Sequence, residues 1–334
     1  MELGVIGLGY WGPNIVRNGL ENQTITTVHA HDINPKRREF IKTKYRNVEV
    51  HEHYETILKS DTIDSVAIVT PVSKHFELAQ QALEAGKHLI VEKPFTATVE
   101  QADKLIELAE KKGLVILVDH TFVYTSAVQK IKELIDKGEL GEIYYYDSVR
   151  VNLGLFQHDI NVLWDLAPHD FAIMDYLLSR QPHSVSAIGK AHIDKKGLEN
   201  IAYVHMNFED GLSAHFHVNW MSPVKIRKVL IGGSRKMLVY DDMEPAEKIK
   251  VYDKGVDIIE KDDVYKTLVQ YRSGDIYIPH IENVEALKGM MDDFVNAVQN
   301  KNTPLSDAHF GRRVVMLLES AEKSIQSNGS NIAL

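Results

Sequence analysis

The stretch that decides the fold is GVIGLGYWG, residues 4–12, near the start of the chain. An apolar run precedes its glycines and a helical pattern follows them, so the G-x-G-x-x-G spacing falls between a strand and a helix. Gly7 permits a tight turn, Gly9 lets the backbone approach a pyrophosphate, and Gly12 allows the helix to pack closely on the strand. The stretch therefore predicts the phosphate-binding turn of a dinucleotide-binding unit.

An acidic residue follows at the spacing that such a unit needs. Asp32 lies twenty residues after Gly12, where the second strand should end, and a carboxylate there hydrogen-bonds the adenosine ribose and repels a 2′-phosphate. This favours NAD. Lys36, Arg37 and Arg38 follow closely and can hold a 2′-phosphate, so NADP stays open. A methyltransferase uses a similar loop and acid but has no need of the lysine motif described below.

The first 120 residues alternate short apolar runs with helical stretches, which indicates a parallel sheet with crossover helices. Ser73 and Gly86 bound one predicted helix, and Thr98 with Gln101 forms a capping box for another that ends near Gly113. The predicted strands are residues 3–6, 27–30, 65–70, 88–91 and 114–118.

Beyond residue 124 the pattern changes to strands separated by the turn signals Asp210-Gly211, Ser222-Pro223 and Gly232-Gly233, which indicates a meandering antiparallel sheet. The residues after Asn328-Gly329 are predicted to be a loose tail. We therefore predict an N-terminal dinucleotide-binding domain of residues 1–121 and a second domain of residues 122–334 that binds substrate. Its predicted helices include residues 165–178, 290–298 and 312–325.

Length and composition exclude several classes of protein. A chain of 334 residues with 44% hydrophobic and 25% charged residues fits two globular domains. The net charge of -9 argues against a nucleic-acid partner. The chain contains no cysteine, which excludes disulfides, thiolate metal sites and a cysteine nucleophile. The sequence shows neither a secretion signal nor an 18-residue apolar run, so we expect a cytoplasmic protein without a membrane partner.

The predicted strand at residues 88–91 runs into Glu92-Lys93-Pro94, at the carboxyl edge of the sheet where open α/β folds bind ligands. A lysine at the end of a buried strand is desolvated, so Lys93 can donate to a substrate hydroxyl or exchange a proton with it. Pro94 can fix a special turn there, including through a cis peptide bond. The alternative is a lysine that extends its charge into solvent.

A second candidate pair is Asp165 and His169, four residues apart in a predicted helix. That spacing puts both side chains on one helix face, although Pro168 must start the helix or kink it. An imidazole can take an alcohol proton as hydride leaves, and a neighbouring carboxylate can orient it. A structural histidine is the alternative.

Three motifs in this order and spacing resemble the glucose-fructose oxidoreductase/inositol dehydrogenase/MocA (Gfo/Idh/MocA) family: the glycine motif, Glu92-Lys93-Pro94 and Asp165-x-x-x-His169. The resemblance covers nearly the whole chain. It implies an α/β fold with a doubly wound parallel Rossmann sheet and a C-terminal α/β domain whose open sheet is mainly antiparallel. It also implies hydride transfer at a secondary alcohol of a sugar or cyclitol. Pro168 is a departure, because many members have no proline directly before the histidine.

The resemblance also implies roles for single residues. Lys93 is the catalytic lysine, His169 the acid/base and Asp165 its supporting carboxylate. Homodimers or homotetramers would form through the open sheet. The residues implied to surround the cofactor are Gly7, Leu8, Gly9, Tyr10, Trp11, Gly12, Asp32, Ile33, Thr70, Pro71, His75, Glu92, Lys93 and Trp164.

Candidates for substrate contacts lie near predicted strand ends, and each is equally consistent with a packing role. Residues 150–154 are similar to family members that modify nucleotide sugars for bacterial surface polysaccharides. Arg150, Lys225 or Arg227 would then meet a diphosphate or a uronate carboxylate. The candidates are His120, Tyr124, Arg150, Asn152, Asn161 and His169.

The 16 histidines raise the question of a metal site, especially at His29-x-His31, His51-x-His53 and His215-x-His217. We predict no metal, because no carboxylate or third histidine accompanies these pairs at a familiar sequence spacing.

The sequence therefore predicts an NAD-dependent dehydrogenase acting on a ring secondary alcohol, with a nucleotide sugar as the favoured substrate. A free sugar or myo-inositol dehydrogenase is the alternative enzyme. A non-catalytic NAD(H)-binding sensor is the alternative of another class, and the intact set of Lys93, Asp165 and His169 argues against it.

Overall fold

The computed structural model describes residues 1–154, 160–193, 197–259 and 268–334. The chain forms two compact units. The first contains Met1–Thr125 and Val284–Met316, and the second contains Ser126–Asn283 and Leu317–Leu334. The sequence predicted a single boundary at residues 121 and 122. The structure differs in that the chain returns to the first unit after residue 283.

The reason for this return is apolar burial. The helix that spans Ala286–Asn300 places Met290 and Phe294 in the same buried cluster as Leu3 and Val5 of the first strand. Covering such side chains stabilises a sheet by about 1.5–3 kcal/mol for each large residue. Local periodicity identified this helix but could not say which sheet it covers.

The first unit is built on a six-stranded sheet with the order β3-β2-β1-β4-β5-β6. All pairs are parallel, which confirms the predicted doubly wound sheet. One strand, β3, was not predicted because it has only three residues. The strands are β1 (Glu2–Ile6), β2 (Thr27–His31), β3 (Val48–Val50), β4 (Ile63–Ile68), β5 (His88–Glu92) and β6 (Ile116–Asp119).

The helices of the first unit begin and end largely as their capping residues predict. The Thr98 hydroxyl accepts the Gln101 amide at 3.2 Å, and Gly113 ends the same helix in the left-handed region. Ser73 does not cap a helix but lies in a short 3₁₀ turn, Val72–Lys74. The α-helices are α1 (Gly12–Glu21), α2 (Pro35–Lys44), α3 (Tyr54–Lys59), α4 (His75–Glu84), α5 (Val99–Lys112) and, later in the chain, α8 (Ala286–Asn300).

The second unit holds a nine-stranded sheet with the order β14-β13-β12-β11-β7-β10-β9-β8-β15. Only β7 and β10 pair in parallel, which confirms a mainly antiparallel sheet. Its strands are β7 (Ile143–Leu153), β8 (Ser184–Lys190), β9 (Ile201–Asn207), β10 (Ser213–Asn219), β11 (Met221–Gly233), β12 (Met237–Asp241), β13 (Ile249–Ile259), β14 (Leu268–Tyr277) and β15 (Ile332–Ala333).

Helices cover one face of this sheet. Helix α7 packs on β7, β9 and β10, and α6 packs on α7. The helices are α6 (Ser126–Asp136) and α7 (Val162–Leu178), and α9 (Ala308–Gln326) continues from the first unit into the second.

Two predictions about this sheet were wrong. Ser222-Pro223 is not a hairpin turn but lies inside β11, where the register with β7 shifts between Met221 and Ile226. Strands β10 and β11 flank β7 instead of pairing with each other. The residues after Asn328-Gly329 are not a loose tail, because Ile332 and Ala333 pair with β8.

No helix within the described residues combines the length and the apolarity that crossing a membrane requires.

Candidate active site

The glycine loop joins β1 to α1 and leaves little room for side chains. Gly7 has φ of +102°, and a Cβ there would lie 2.3 Å from the carbonyl oxygen of Val69. A Cβ at Gly12 would lie 2.2 Å from the carbonyl oxygen of Gly7. At Gly9 the surroundings are open, because a Cβ would meet only the Arg37 guanidinium, at 3.9 Å.

The difference between Gly9 and the other two glycines indicates whether the loop has room for a dinucleotide. The fold itself requires glycine at positions 7 and 12, whereas no backbone contact among the described residues requires it at position 9. The residue before α1, Trp11, makes no side-chain capping hydrogen bond. Amides at the start of a helix that lack a cap suit a phosphate. The loop therefore fits a pyrophosphate.

Asp32 follows β2 and is fixed from two sides. Its carboxylate accepts the Leu8 amide at 2.7 Å and the Asn34 amide at 2.8 Å. Arg37 places Nη1 3.3 Å from the same carboxylate. Oδ2 accepts both the Leu8 amide and the Arg37 guanidinium, whereas Oδ1 accepts the Asn34 amide and has a second lone pair that can accept a ribose hydroxyl. The ribose contact of Asp32 stays a prediction. The guanidinium beside it offsets its charge.

Two large apolar side chains project beside the loop. Tyr10 is 95% exposed and Ile33 is 89% exposed. Singly exposed apolar residues are common on protein surfaces, so exposure alone assigns them no partner. Both side chains are accessible, and their contacts with the cofactor stay a prediction.

The turn after β4 packs against the glycine loop. Thr70 and Pro71 follow Val69, whose amide donates to the carbonyl oxygen of Ile6 at 2.8 Å. The two ring nitrogens of His75 lie 2.7 Å from the Thr70 oxygen and 2.9 Å from the Pro94 oxygen. Burial lowers the pKa of His75, although these carbonyl contacts oppose the shift. His75 thus ties this turn to the lysine motif and is a positioning residue.

The lysine motif ends β5, and the Lys93–Pro94 peptide bond is cis, as the sequence allowed. Glu92 accepts a short hydrogen bond from the Lys93 amide and is the register partner of Asp119 on β6. Desolvation raises the pKa of Glu92 to about 8, the Asp119 carboxylate adds to the rise, and Lys93 opposes it. Glu92 therefore keeps a proton near neutral pH, beside the ammonium of Lys93.

Asp119 was not predicted, and it joins the lysine motif to the glycine loop. Its carboxylate accepts the Trp11 indole N–H at 2.7 Å and a hydrogen bond from Thr121. Burial raises the pKa of Asp119, while these two hydrogen bonds lower it. The one sequence signal for Asp119 was its position at the end of a strand, at the edge where the lysine lies.

His120 and Tyr124, both predicted to contact substrate, follow β6. His120 is buried against Phe310, and desolvation with the nearby Lys93 lowers its pKa to about 3. Neither of its ring nitrogens has a hydrogen-bond partner within the described residues. His120 is therefore neutral and keeps its hydrogen-bonding capacity.

Tyr124 has a partner inside the first unit instead. Its hydroxyl donates to Asp293 at 2.8 Å and lies 3.1 Å from the Ser306 hydroxyl. Burial and the Asp293 carboxylate raise its pKa. These contacts give Tyr124 a structural role in packing against α8, and its substrate contact stays a prediction.

In the second unit, Asp165 and His169 lie on α7, four residues apart and on one face. The helix continues through Pro168, which is inside it, so the departure from the family pattern does not break the helix. The Asp165 carboxylate accepts the Trp220 indole N–H at 2.9 Å, which fixes one of its oxygens. The sequence analysis did not identify Trp220 as the partner of Asp165, because Trp220 directly follows β10, 55 residues further along the chain.

The start of α7 bears on two predictions. Asn161 caps the helix by accepting the Trp164 amide at 3.1 Å, and its amide group donates to Glu199 at 3.0 Å. Both ends of its side-chain amide therefore have partners inside the second unit, which gives Asn161 a structural role and argues against the predicted substrate contact. The Trp164 indole donates to Glu322 on α9 at 3.2 Å, within the second unit, which argues against the predicted cofactor contact.

Arg150 was predicted to meet an anionic substrate, but it is 4% exposed. Its guanidinium donates to Asp170 at 2.7 and 3.2 Å, and Ser148 donates to the same carboxylate at 3.0 Å. Removing one partner of such a buried pair costs about 3–5 kcal/mol. Arg150 therefore anchors β7 to α7, and its burial in this ion pair argues against the anion contact that was predicted for it.

Asn152 remains a candidate. It lies two residues beyond Arg150 on the same face of β7, with partial exposure. A Cβ at Gly154 would lie 3.0 Å from both its amide nitrogen and the Trp220 ring. Asn152 and Asp165 therefore both neighbour Trp220 at one end of the second unit.

Two family models match the chain. The model for the oxidoreductase family with an NAD-binding Rossmann fold, GFO_IDH_MocA, matches residues 1–120. The GFO/IDH/MocA C-terminal domain model matches residues 128–239. Together they span well over half of the chain.

Known proteins resemble the whole chain. The UDP-N-acetylglucosamine 3-dehydrogenase of Acidithiobacillus ferrooxidans is 28% identical over 330 residues, covering 94% of both chains. A solved structure of that enzyme superposes with a TM-score of 0.80 at 25% identity, covering 98% of both chains. The scyllo-inositol 2-dehydrogenase (NADP(+)) IolW of Bacillus subtilis is 27% identical over 248 residues, 70% of this chain and 63% of that protein.

The glycine loop yields a prediction that separates folding from cofactor binding. Gly9→Ala should change the free energy of unfolding by less than about 0.5 kcal/mol, because the added methyl meets no backbone. The same variant should weaken NADH binding at least about tenfold, since the methyl lies where the pyrophosphate approaches. NADH fluorescence titration and urea unfolding measure the two quantities.

Gly7→Ala is the matched control, because its methyl would strike the Val69 oxygen in a left-handed backbone conformation. It should lower both stability, by about 1–3 kcal/mol, and NADH affinity. Normal NADH binding by Gly9→Ala would show that no ligand approaches the chain at this residue.

Proposed function

Because this chain belongs to the Gfo/Idh/MocA oxidoreductase family, we propose that it is a dehydrogenase that oxidises a ring secondary alcohol of a nucleotide sugar with NAD. The observation that carries the proposal is the complete set of motifs. The glycine loop with Asp32 and the Glu92-Lys93 edge lie in the first unit, and the Asp165–His169 pair lies on one helix face in the second.

The chemistry proposed for these residues is a proton transfer coupled to oxidation of the alcohol carbon. When bound, the nicotinamide accepts the hydride from that carbon. His169 takes the hydroxyl proton and passes it to solvent, while Lys93 donates a hydrogen bond to the same oxygen as it becomes a carbonyl. Asp165, held by Trp220, positions His169.

Glu92 and His120 lie near Lys93 in the first unit. Desolvation raises the pKa of Glu92 to about 8 and lowers that of His120 to about 3, and Lys93 opposes the first shift and contributes to the second. Asp119 accepts hydrogen bonds from Trp11 and Thr121. These groups give Lys93 a polar setting at the edge of the sheet, where we propose that it meets the substrate oxygen.

The nucleotide-sugar class is supported by the full-length similarity to UDP-N-acetylglucosamine 3-dehydrogenase, over 94% of both chains. Asn152 is the residue we propose to contact the sugar, together with His169 and His120. Any diphosphate must be bound by groups other than Arg150, whose guanidinium is committed to Asp170.

We propose NAD as the preferred cofactor with NADP tolerated. Asp32 favours a ribose diol, but Arg37 lies 3.3 Å from its carboxylate and is 52% exposed. An arginine at this place can turn to a 2′-phosphate and reduce the repulsion that Asp32 exerts.

The first test is reduction of NAD, followed at the nicotinamide absorbance band, with UDP-sugars, dTDP-sugars, free hexoses and inositols. We expect reduction with a UDP-sugar, and a lower kcat/KM when NADP replaces NAD. Turnover of inositol or a free hexose alone would replace the nucleotide-sugar proposal with the alternative enzyme. NADH binding with no turnover on any substrate, in either direction, would favour the sensor.

The acid/base assignment predicts that Lys93→Met and His169→Asn each lower kcat/KM by about 10² to 10⁴-fold. NADH affinity should stay within about threefold of the unaltered protein for His169→Asn, because the histidine is assigned to the alcohol. Steady-state kinetics and NADH titration measure both. Matched controls are Lys74→Met and His309→Asn, which remove exposed partners of surface ion pairs. Unchanged kcat/KM in either site variant would contradict its assigned role.

We also propose that the chain forms a homodimer or homotetramer through the sheet face that α7 leaves uncovered. That face carries Ile188 and Tyr203, which are 56% and 42% exposed, in one row with His217. Side chains of this kind favour contact with a second copy.

The double variant Ile188→Glu/Tyr203→Glu should shift the mass measured by light scattering after size-exclusion chromatography toward the monomer, because charges on this face oppose its burial. Met243→Glu, at an exposed turn residue of the same unit, is the control. An unaltered protein that elutes as a monomer would refute the assembly.

A further inference from the structure

Two histidines and a glutamate meet on neighbouring strands of the first unit, away from the glycine loop. His29 in β2 is the register partner of Glu49 in β3. His51 directly follows β3, and its amide donates to the carbonyl oxygen of Ala30 at 2.9 Å. Because side chains alternate along a strand, Glu49 and His51 lie on the same face as His29. The sequence analysis did not find this group, because Glu49 lies on β3 whereas His29, the histidine that it faces, lies on β2.

The three groups are spaced like ligands of one ion. His29 Nδ1 lies 3.0 Å from His51 Nε2 and 3.4 Å from a Glu49 carboxylate oxygen. The three candidate ligand atoms all lie within 4.8 Å of one another. Tetrahedral zinc, with bonds of about 2.0–2.2 Å, separates its ligand atoms by about 3.3–3.5 Å. Small rotations of the exposed Glu49 side chain and the partly exposed His51 ring would complete this geometry around the buried His29.

Glu2 supplies the outer partner that metal-binding histidines need. Its carboxylate lies 3.1 Å from His29 Nε2, and the Thr62 hydroxyl donates to the same carboxylate at 2.6 Å. An acceptor at Nε2 keeps the proton on that nitrogen, so the lone pair of Nδ1 faces His51 and Glu49. The His29 ring is buried and therefore held in this orientation.

We propose that His29, Glu49 and His51 form a binding site for a divalent transition metal, with zinc the ion that fits best, and that Glu2 is its positioning residue. Two imidazole nitrogens and one carboxylate oxygen favour zinc over magnesium or calcium, which prefer oxygen ligands alone. Glu49 is 65% exposed, which gives the ion access from solvent and leaves a fourth position for water.

The site has a structural consequence for the nucleotide-binding sheet. Strand β3 is three residues long and lies at the sheet edge, where β2 is the strand that pairs with it. A metal bound by His29 and by Glu49 and His51 joins these two strands through their side chains. Zinc should therefore slow the opening of β3, which hydrogen exchange at the His51 amide reports.

The test is titration of chelator-treated, tag-free protein with zinc chloride against a chromogenic zinc chelator. We expect one zinc per chain with a Kd in the micromolar range or tighter. Glu49→Gln and His51→Gln should each weaken binding at least about tenfold, and Glu2→Gln about 10- to 100-fold. His53→Gln, an exposed histidine two residues further along that makes no helix-capping hydrogen bond, should bind as the unaltered protein does.

Two further measurements keep the result interpretable. Circular dichroism melting without metal should give the same midpoint for Glu49→Gln and the unaltered protein, which shows that its loss of zinc is not unfolding. Cobalt substitution should give the intense visible bands of tetrahedral coordination. No stoichiometric zinc binding, or equal affinity in the His51→Gln and unaltered proteins, would overturn the proposal. Neither measurement requires dehydrogenase activity, so the outcome is independent of the proposed function.

Discussion

The close approach of the Gly7 turn to the carbonyl oxygen of Val69 is the constraint on which the first unit depends. With no side chain at Gly7, β1 and β4 can pair while the chain turns at once into α1. This turn brings the Leu8 amide to Asp32 and the Trp11 indole to Asp119. One backbone position thus aligns the ends of several parallel strands at one edge.

The sequence predicts those features that a few consecutive residues determine. The cap at Thr98 and the stop at Gly113 each depend on contacts within about five residues, and the structure has both. The glycine motif is recognised from its spacing, although Gly7 also approaches Val69 from a distant part of the chain. The spacing of Asp165 and His169 belongs to the same class, since a helix fixes it without help from elsewhere. Only Pro168 made that helix uncertain, and packing of α7 on the sheet outweighs the hydrogen bond that the proline removes.

The parts that could not be predicted depend on register and on distant partners. Arg150 looked available in the sequence because its partner Asp170 lies twenty residues away on another element. The partners of Trp164 and Tyr124 lie 158 and 169 residues away. Likewise, the pairing of His29 with Glu49 follows from the alignment of β2 with β3, which no spacing within either strand reveals. The sequence alone could not show which of these side chains are already hydrogen-bonded inside their own unit.

The two-residue strand β15 has a consequence for the solubility of this protein. Ile332 and Ala333 pair with Val185 and Ser184, so β15 covers one side of β8 in the nine-stranded sheet. Natural sheets avoid open edges, because unpaired amides and carbonyls recruit strands from other molecules. Substitutions that displace β15 would therefore expose β8 to aggregation without touching a single group assigned to chemistry.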